Sequence, residues 1–583
     1  MKTINIKING MEVSAREGST ILEVARQLNI KIPTLCYLKE INEIGACRMC
    51  VVEVKGSNSL IASCVHPVSE GMEIITNSQK VLESRKRTLQ LILSVHDKKC
   101  LSCTRSGDCE LQNLSHTLGI ADENYFAGDS HYYELDTSAI HMVRDNNKCI
   151  LCRRCTAVCE HSQAVGVIGT NERGFNTNIG SAFDMGLGGT SCIACGQCIV
   201  ACPTGALYEK DQTQEILDAI SDPSKYVVVQ VAPSVRVGLG EPFGMPIGTN
   251  VEGKMVASLH RLGFDKVFDT NLGADLTIIE EANELIERVT NGKPLPMITS
   301  CSPGWINYCE YYFPEMIDNL SSCKSPMQMF GATAKTYYAN KIGVSSEDMF
   351  VVAIMPCTAK KLEVRRDDQD AAGVPDVDVS LTVRELARMI RLADIDFVSL
   401  PDEEFDNPFG ISTGAAAIFG ATGGVMEAAL RTAAETLTSE ELPNVDFKEV
   451  RGFNGIKEAS YDVGNITINV AVASGTANAK ELLEKVKSGE KDYHFIEIMG
   501  CPGGCVNGGG MPHVSSSIRS FNNVPAKRAA ALYKKDEAMT IRKSHENPVI
   551  QELYNDFFEK PGSHKAHEIL HTSYIRRQIN HTV

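Results

Sequence analysis

Several sequence features that mark common protein functions are missing from this 583-residue chain. It has no Gly-x-Gly-x-x-Gly or Gly-x-x-x-x-Gly-Lys-Ser/Thr loop, so we expect the chain itself to bind no flavin, nicotinamide or ATP. No apolar stretch is long enough to span a bilayer. Acidic residues outnumber basic ones, and the resulting net charge of −16 argues against nucleic-acid binding.

The first residues, MKTINIKING, have the pattern of a strand, so we expect them not to be a signal peptide. Most of the 21 cysteines have the spacing of metal ligands rather than of a disulfide framework, and such cysteines fit a reducing compartment. We therefore expect a cytoplasmic protein. An export signal carried by a partner subunit would not be visible in this chain.

Cysteine runs are the strongest feature that is present. Two successive runs have the spacing Cys-x2-Cys-x2-Cys-x3-Cys, and Pro203 closes the second. This is the pattern of two-cluster bacterial ferredoxins, in which the fourth cysteine of each run binds the other cluster. Zinc ribbons use Cys-x2-Cys pairs but do not need two such runs. We expect two 4Fe-4S clusters, with the ligand sets Cys149, Cys152, Cys155 and Cys202, and Cys192, Cys195, Cys198 and Cys159.

A third set of cysteines follows a predicted small α+β unit at the N-terminus. Apolar and polar residues alternate over residues 4–8, an Asn-Gly turn follows, and Ser19 or Thr20 precedes a helical pattern. The unit resembles a plant-type 2Fe-2S ferredoxin, with a longer first gap between cysteines. It is similar to the N-terminal domain of the large complex I subunit and of modular hydrogenases. The expected 2Fe-2S ligands are Cys36, Cys47, Cys50 and Cys64.

A fourth set contains only three cysteines and one histidine. His96 lies one helical turn before Cys100, and Cys103 and Cys109 follow. Three cysteines without a fourth partner favour His96 as the missing ligand of a 4Fe-4S cluster. The pattern resembles the His/Cys3 module of the same two families.

The remaining chain has few cysteines and alternates strand patterns with amphipathic helices. Strands are predicted at 226–232, 349–355 and 467–473, and helices at 275–288 and 478–487. The fold class is therefore multidomain, with N-terminal α+β ferredoxin-type domains followed by a large α/β domain. The predicted boundaries are 1–78 (2Fe-2S), 79–138 (His/Cys3), 139–210 (two-cluster), 211–540 (α/β) and 541–583 (a C-terminal tail packed on the α/β domain).

Three segments of the α/β domain place cysteine beside glycine or proline after an apolar run. They are TSCSPGW at 299–305, MPCTAKKLE at 355–363 and EIMGCPGGCVNGGGMP at 497–512. Ligands collect at the ends of strands in α/β folds, and helix N-termini there favour anions. Glycine lets the backbone approach a bulky cofactor.

These three segments resemble the signature motifs of the iron-iron (FeFe) hydrogenases. That family interconverts protons and dihydrogen at an H-cluster, a 4Fe-4S cube joined to a di-iron site with CO, cyanide and a bridging dithiolate. The resemblance implies that Cys357, Cys501 and Cys505 bind the cube, that Cys505 bridges to the di-iron site, and that Lys360 pairs with a cyanide. It also implies a cofactor pocket formed by Ala232, Pro233, Ser234, Met355, Phe419 and Met499.

A proton path is expected on the helix at 275–288. Glu281, Glu284 and Arg288 have the spacing of one helix face, as titratable groups in series require. In the family this face, with a serine matching Ser321, carries protons to a cysteine that Cys301 matches. The alternative is a solvated helix face held by ion pairs.

The first motif departs from the family pattern of two adjacent cysteines, because Ser302 occupies the second position. The fourth cube ligand is therefore open: it is Cys301, Ser302, a water or Cys323. Retention of the motif register favours Cys301 as the proton relay. Cys309 and Cys323 match no signature ligand position, and we expect both to be buried thiols.

The resulting hypothesis is an FeFe hydrogenase with four accessory clusters: one 2Fe-2S and three 4Fe-4S. Expected partners are ferredoxin or flavin/NAD(P)-binding subunits, together with H-cluster maturation proteins. One alternative is the hydrogen-oxidising subunit of an NAD(P)-reducing or electron-bifurcating complex. Another is a non-catalytic redox sensor that keeps the fold. A large complex I subunit would lack the third motif.

Overall fold

The N-terminal region forms a five-stranded sheet with one helix packed on it. The computed structural model describes residues 2–122, 124–126, 131–464 and 466–578. The strand order is β2-β1-β5-β3-β4, and Ile4, Ile6 and Ile8 point into the core as their alternation predicts. Thr20 caps α1 through a capping box with Glu23. The elements are β1 (Thr3–Ile8), β2 (Met11–Arg16), α1 (Ile21–Gln27), β3 (Val51–Val54), β4 (Ile61–Ala62) and β5 (Glu73–Ile75).

Two small cluster-binding units follow the sheet. The first is mainly helical, with α2 (Gln79–Ser94) and α3 (Glu110–Thr117); residues 123 and 127–130 of its predicted span lie outside the described residues. The second pairs β6 with β9 and β7 with β8, both antiparallel. Its elements are β6 (Met142–Arg144), α4 (Arg154–Ala157), β7 (Gly169–Asn171), β8 (Asn178–Gly180), α5 (Gln197–Ala201) and β9 (Leu207–Glu209).

The large α/β region contains two four-stranded sheets. The first has the order β11-β10-β13-β14 and is fully parallel. The second has the order β12-β17-β16-β15, and only its last pair is antiparallel. The strands are β10 (Tyr226–Val231), β11 (Lys266–Asp269), β12 (Met297–Ile298), β13 (Met349–Met355), β14 (Val379–Thr382), β15 (Ile456–Val463), β16 (Ile466–Ser474) and β17 (Phe495–Met499).

Helices surround both sheets, and the predicted helices at 275–288 and 478–487 fall within α8 and α16. The helices are α6 (Thr213–Ser221), α7 (Glu252–Leu262), α8 (Asn271–Asn291), α9 (Pro303–Tyr312), α10 (Pro326–Thr333), α11 (Ala339–Ile342), α12 (Lys360–Glu363), α13 (Val383–Leu392), α14 (Gly414–Ala417), α15 (Gly424–Thr438), α16 (Thr476–Lys487), α17 (Ser516–Arg519), α18 (Val524–Ala538), α19 (Pro548–Leu553) and α20 (His564–Leu570). Within the described ranges, no helix is both long and apolar enough to cross a membrane.

The last part of the chain packs on the α/β region. Leu553, Leu570 and other apolar side chains of α19 and α20 belong to the core of the first sheet. The hydroxyl of Tyr554 donates to the buried carboxylate of Glu280 on α8, at 2.5 Å. The final residues of the predicted tail, 579–583, lie outside the described part of the chain.

Candidate active site and cluster ligands

The three motif segments meet at one cavity of about 80 Å³ in the α/β region. Each follows a strand that ends there: β12 precedes the first, β13 the second and β17 the third. Parallel strands bring their carboxyl ends to the same edge, which explains the convergence. All predicted pocket residues line this cavity: Ala232, Pro233, Ser234, Met355, Phe419 and Met499. So do Cys301, Ser302, Cys357, Lys360, Cys501 and Cys505.

Three thiols, those of Cys357, Cys501 and Cys505, line the cavity together. Burial and the neighbouring Cys357 raise the pKa of Cys505 to about 12, while Lys360 opposes the rise. Burial also raises the pKa of Cys357 and of Cys501. The thiols of Cys357 and Cys505 raise the pKa of Cys501 further. A metal cluster would reverse this effect, because its positive charge stabilises thiolates. The dry, thiol-lined cavity therefore fits an iron–sulfur cofactor.

Cys301 and Ser302 face different parts of the site. The carboxyl of Glu281 and the thiol of Cys505 both raise the pKa of Cys301, after burial as the main cause. The Ser302 hydroxyl instead accepts a hydrogen bond from the backbone N–H of Gly500, at 3.1 Å, beside the third motif. Cys301 thus lies near both Glu281 and Cys505, whereas Ser302 is bonded to the backbone that precedes Cys501.

The other two cysteines of the α/β region do not line the cavity. The Sγ atom of Cys323 lies 4.0 Å from Oε2 of Glu284, on the far side of the acidic face. The Cys309 thiol is fully buried and donates to the carbonyl of Phe313 at 3.4 Å. Cys323 is therefore poorly placed to serve as the fourth cube ligand.

Lys360 is held at the cavity wall by three oxygen atoms. Its ammonium donates to Ser325 Oγ and Glu363 Oε2, both at 2.7 Å, and to the carbonyl of Cys301 at 3.4 Å. Sequence reasoning gave Glu363 no role, although it is the last residue of the second motif. Its carboxylate neutralises Lys360 and fixes the direction of the ammonium.

The groups of the predicted proton path lie close together, on α8 and on the segment after α9. Glu284 Oε2 accepts hydrogen bonds from Ser321 Oγ at 3.1 Å and from the backbone N–H of Ser322 at 3.0 Å. Burial, and then the charge of Glu284, raise the pKa of Glu281 to about 8, and the N–H of Ser300 partly opposes this. Neither oxygen of Glu281 has a well-aligned hydrogen bond among the described residues. A buried carboxyl with this pKa can accept and release a proton near neutral pH.

Arg288 lies at the outer end of this path and is almost fully buried. It donates to Glu284 and also to the carbonyl of Leu320, at 2.7 Å. The guanidinium therefore ties α8 to the segment that carries Ser321. Arg288 is an anchor within the network rather than a solvated ion pair.

Glu497 is a buried residue of the third motif to which sequence reasoning gave no role. Its carboxylate accepts hydrogen bonds from the backbone N–H groups of Gly423 at 2.6 Å and Met426 at 2.7 Å. These contacts hold the start of α15, which follows Phe419 in the pocket wall. The sequence signal that could have identified Glu497 was its position as the first residue of the third motif.

The two predicted four-cysteine sets each surround a separate small cavity. One cavity, of about 20 Å³, is lined by Cys149, Cys152, Cys155 and Cys202. The other, of about 30 Å³, is lined by Cys159, Cys192, Cys195 and Cys198. The expected exchange of the fourth cysteine between the runs is therefore present in the geometry.

The spacing of the predicted cysteine ligands fits iron–sulfur clusters better than single zinc ions. Over the described ranges, no three of the predicted cysteine ligands bring their sulfur atoms within 4.8 Å of one another. Four thiolates on one zinc, with Zn–S bonds of about 2.3 Å, would lie closer than this. The wider spacing leaves room for an iron–sulfur cube.

In the N-terminal domain the four cysteines form two pairs. The Sγ atoms of Cys50 and Cys64 are 3.3 Å apart, and the thiols of Cys36 and Cys47 are also hydrogen bonded. Two pairs of thiols match a 2Fe-2S cluster, in which each iron takes two thiolates. The residues present therefore fit the predicted cofactor.

His96 is half-buried between α2 and the following turn, with its Nδ1 atom turned inward. Its Nδ1 atom has no hydrogen-bond partner in the part of the chain that the structure describes. Burial lowers the pKa of His96 to about 4, so the ring is neutral and can donate a lone pair to a metal. Cys103 and Cys109 lie close enough to influence each other, and Cys100 begins the turn between them and His96.

The cluster-binding units contact one another through hydrogen bonds near their ligands. The Asn42 amide donates to the carbonyls of Cys36 and Cys152, at 2.8 and 3.0 Å. A guanidinium nitrogen of Arg105, in the His/Cys3 unit, donates to the carbonyl of Cys202 at 3.0 Å. Both N-terminal units therefore reach the same four-cysteine set.

The other set touches the main cavity. The hydroxyl of Thr358, next to Cys357, donates to the carbonyl of Ala194 at 2.7 Å. A Cβ atom added at Gly509 would lie 2.2 Å from the carbonyl oxygen of Cys195, so no larger residue fits there. The backbones of the two regions are in direct contact at this point.

Comparison with known proteins agrees with the motifs and the geometry. Family models match at 225–509 ("Iron only hydrogenase large subunit, C-terminal domain"), 522–577 ("Iron hydrogenase small subunit"), 1–79 ("2Fe-2S iron-sulfur cluster binding domain"), 85–124 ("NADH-ubiquinone oxidoreductase-G iron-sulfur binding region") and 148–206 ("4Fe-4S dicluster domain"). These describe an iron–sulfur redox enzyme with a hydrogenase domain.

Two individual relatives extend over nearly the whole chain, and a solved structure matches its larger part. The NADP-reducing hydrogenase subunit HndD of Solidesulfovibrio fructosivorans is 49% identical over 99% of this chain and 100% of its own. Iron hydrogenase 1 of Clostridium pasteurianum is 44% identical over 98% and 100%. A structure of the [FeFe]-hydrogenase HydA1 from Chlamydomonas reinhardtii is 43% identical, with a TM-score of 0.56, over 63% of this chain and 99% of that one. The chain belongs to the FeFe hydrogenase family.

More distant relatives carry other names. The cytosolic Fe-S cluster assembly factor narfl of Xenopus tropicalis is 29% identical over 66% of this chain and 82% of its own. Because the hydrogenase relatives match nearly the whole chain, the protein is an FeFe hydrogenase with accessory iron–sulfur domains, as the sequence motifs predicted.

Proposed function

We propose that the cavity at the strand ends holds an H-cluster, with Cys357, Cys501 and Cys505 as thiolate ligands of its cube. The observation that carries this proposal is the convergence of all three motif segments on one dry cavity lined by these thiols. When bound, an H-cluster supplies the redox chemistry that interconverts protons and dihydrogen. The chain's own residues exclude water, position the cofactor and move protons.

The fourth side of the cube is assigned to Ser302, or to a water bound there, and Cys301 is assigned to the proton relay. The supporting observation is that Cys301 is influenced by Glu281, whereas Ser302 is bonded to Gly500 next to Cys501. A serine hydroxyl is a weaker iron ligand than a thiolate. We therefore expect a cube with one labile position.

Protons follow the route from Glu284 through Ser321 and Glu281 to Cys301. Ser321 donates to Glu284, and Glu281 lies between Ser321 and Cys301 in the electrostatic contacts of the site. Burial keeps the pKa of Glu281 near 8, so this carboxyl can be protonated by one neighbour and deprotonated by the other. Lys360 lies beside the end of this route, where its ammonium donates to the carbonyl of Cys301.

Electrons enter through four accessory clusters. The 2Fe-2S domain and the His/Cys3 unit both contact the Cys149-Cys152-Cys155-Cys202 set, and the second four-cysteine set contacts the main cavity. Buried clusters with thiolate ligands suit rapid electron exchange, and the His96 ligand shifts the potential of its own cluster.

Electron partners lie outside this chain. The 49%-identical relative is named as a subunit of an NADP-reducing hydrogenase, and this sequence lacks a nucleotide-binding loop of its own. This favours partner subunits that bind flavin and NAD(P), with ferredoxin as the other candidate partner. Maturation proteins would install the di-iron site. We place the enzyme in the cytoplasm.

Infrared spectroscopy of the matured protein tests the proposal. Metal-bound CO and cyanide should give bands in the region where protein has none, and hydrogen should be produced with a reduced one-electron donor. A matured protein with complete accessory clusters but without such bands would contradict the H-cluster assignment. It would instead favour the non-catalytic sensor alternative.

A further inference from the structure

A group of metal-ligating side chains lies next to the proposed proton route but outside the main cavity. Glu284, Cys323 and His571 bring one donor atom each to within 4.8 Å of one another. We propose that these three residues form a binding site for a zinc-class divalent cation. Thiolate, imidazole and carboxylate are the ligand types that zinc takes in proteins. The effect on turnover, but not the site itself, rests on the proposed proton route.

The donors are fixed by backbone pairing. Cys323 and His571 face each other in an isolated antiparallel bridge. On either side of it, the N–H of Thr572 donates to the carbonyl of Ser322 and the N–H of Lys324 donates to that of Leu570, both at 2.8 Å. Rigid elements hold ligands more accurately than mobile loops do.

A buried carboxylate orients the histidine. Nε2 of His571 lies 3.1 Å from Oε2 of Glu280, which also accepts a hydrogen bond from the N–H of Gly562. This leaves Nδ1 of His571 facing Glu284. A carboxylate behind a ligating imidazole is the usual second partner at protein zinc sites, where it sets the tautomer and raises the basicity of the ring.

A hydroxyl now lies between two of the proposed ligands. Ser322 Oγ is 2.8 Å from Nδ1 of His571 and 3.2 Å from Oε2 of Glu284. It therefore lies where a cation bound to both atoms would lie, and its single proton can be donated to only one of them at a time. Rotation of this small side chain frees both donors without moving the backbone.

The electrostatic field favours a cation. Burial raises the pKa of Cys323 well above its usual value, and the nearby carboxylates of Glu284, Glu281 and Glu280 raise it further. The same negative charges attract a divalent ion. The bound ion would in turn stabilise the thiolate, with release of the thiol proton to water.

The structure also shows how a cation can reach the site from solvent and what a bound cation would do to turnover. The exposed ring of His567 lies against that of His571, with centroids 4.1 Å apart and the rings tilted by 44°, so it offers a donor through which an ion can enter from solvent. A cation on Oε2 of Glu284 would occupy the atom that accepts from Ser321. Zinc should therefore slow turnover by interrupting proton transfer, without touching the cluster ligands.

Equilibrium dialysis of the holoenzyme with zinc, together with zinc X-ray absorption, tests the site. We expect one tightly bound zinc with a single sulfur neighbour at about 2.3 Å. Outer partners alone change zinc affinity by about 10- to 100-fold, so His571→Asn and Cys323→Ser should each weaken binding by about 100-fold or more. A sulfur-free zinc environment, or equal binding by wild type and both variants, would overturn the proposal.

Matched controls separate this site from others. His545→Asn removes the histidine of the more exposed Glu435-His545-Glu546 group and should leave the tight site unchanged. If Cys323→Ser fails to fold, His571→Asn and the sulfur signal still decide the question. Tight binding at the three residues with unchanged hydrogen production would support the site and refute the proton route through Glu284.

Discussion

Arg288 donates two hydrogen bonds to a single carboxylate oxygen of Glu284, with N–O distances of 3.1 and 2.7 Å. The guanidinium holds Oε1, and the other oxygen remains for Ser321 and Ser322. One side of the carboxylate is therefore structural, and the other can take part in proton exchange. This division suggests how to test the proposed route.

Glu281→Gln and Glu284→Gln should each lower hydrogen production by about 100-fold or more, because the amide keeps volume but cannot titrate. Cluster spectra should stay unchanged. Glu287→Gln is the matched control, because Glu287 lies on the same helix but is exposed and pairs with Lys293. Wild-type turnover in both test variants would show that protons travel elsewhere.

Cys301→Ser and Ser302→Cys should have opposite effects. Loss of the relay thiol in Cys301→Ser should abolish most activity while the H-cluster infrared bands remain. Ser302→Cys should be tolerated and should make the cube less labile, because thiolate is the stronger iron ligand. Complete loss of the bands in Cys301→Ser would identify Cys301 as a cube ligand.

Protein produced without the maturation proteins should hold about 14 iron atoms in its accessory clusters, from one 2Fe-2S and three 4Fe-4S centres. Cys357→Ala should not change the iron bound in these clusters, because Cys357 belongs to the main cavity. The measurement is iron, zinc and acid-labile sulfide per chain. Much less iron, with zinc in its place, would contradict the cluster assignments.

Asn42→Leu should destabilise the contact between the 2Fe-2S domain and the two-cluster unit. The substitution leaves two carbonyls without their buried donor, which costs about 1 to 3 kcal/mol for each unpaired group. Limited proteolysis should then release the N-terminal domain sooner. Asn9→Leu, which removes a hydrogen bond to Thr76 within the same domain, provides the comparison. Equal proteolysis rates for all three proteins would argue against a bridging role for Asn42.

The pH dependence of stability should contain a contribution from His260. Burial lowers its pKa, but hydrogen bonds to Glu403 and Asp406 outweigh this effect, and the folded-state pKa is raised. The stabilisation is therefore complete below the unfolded-state value and is lost as pH rises through the folded-state value. His260→Asn should flatten this loss in denaturant titrations at pH values above the ordinary histidine pKa, whereas the exposed His161→Asn should not. A slope unchanged by His260→Asn would contradict the assignment.

Local patterns predicted the main elements and most of the proposed ligands. Alternation predicted the inward residues of β1, and helical spacing placed Glu281 and Glu284 on one face of α8. The roles of Asn42, Glu497 and His571 could not be predicted this way. Their partners are more than 70 residues away in sequence, so only the folded chain brings them together. The sequence showed that Ser302 departs from the family motif, but it could not show the hydrogen bond that Ser302 accepts from Gly500.

Gly509, where the backbone of the third motif meets that of Cys195, has a further consequence for the speed of the enzyme. Electron tunnelling slows exponentially with the gap between redox centres. A side chain at position 509 would have to displace the carbonyl of Cys195, because even a methyl carbon would lie 2.2 Å from it. The absence of a side chain at position 509 therefore keeps the separation between the two redox centres small. A single methyl group there would widen the gap and slow electron transfer between the accessory clusters and the catalytic centre.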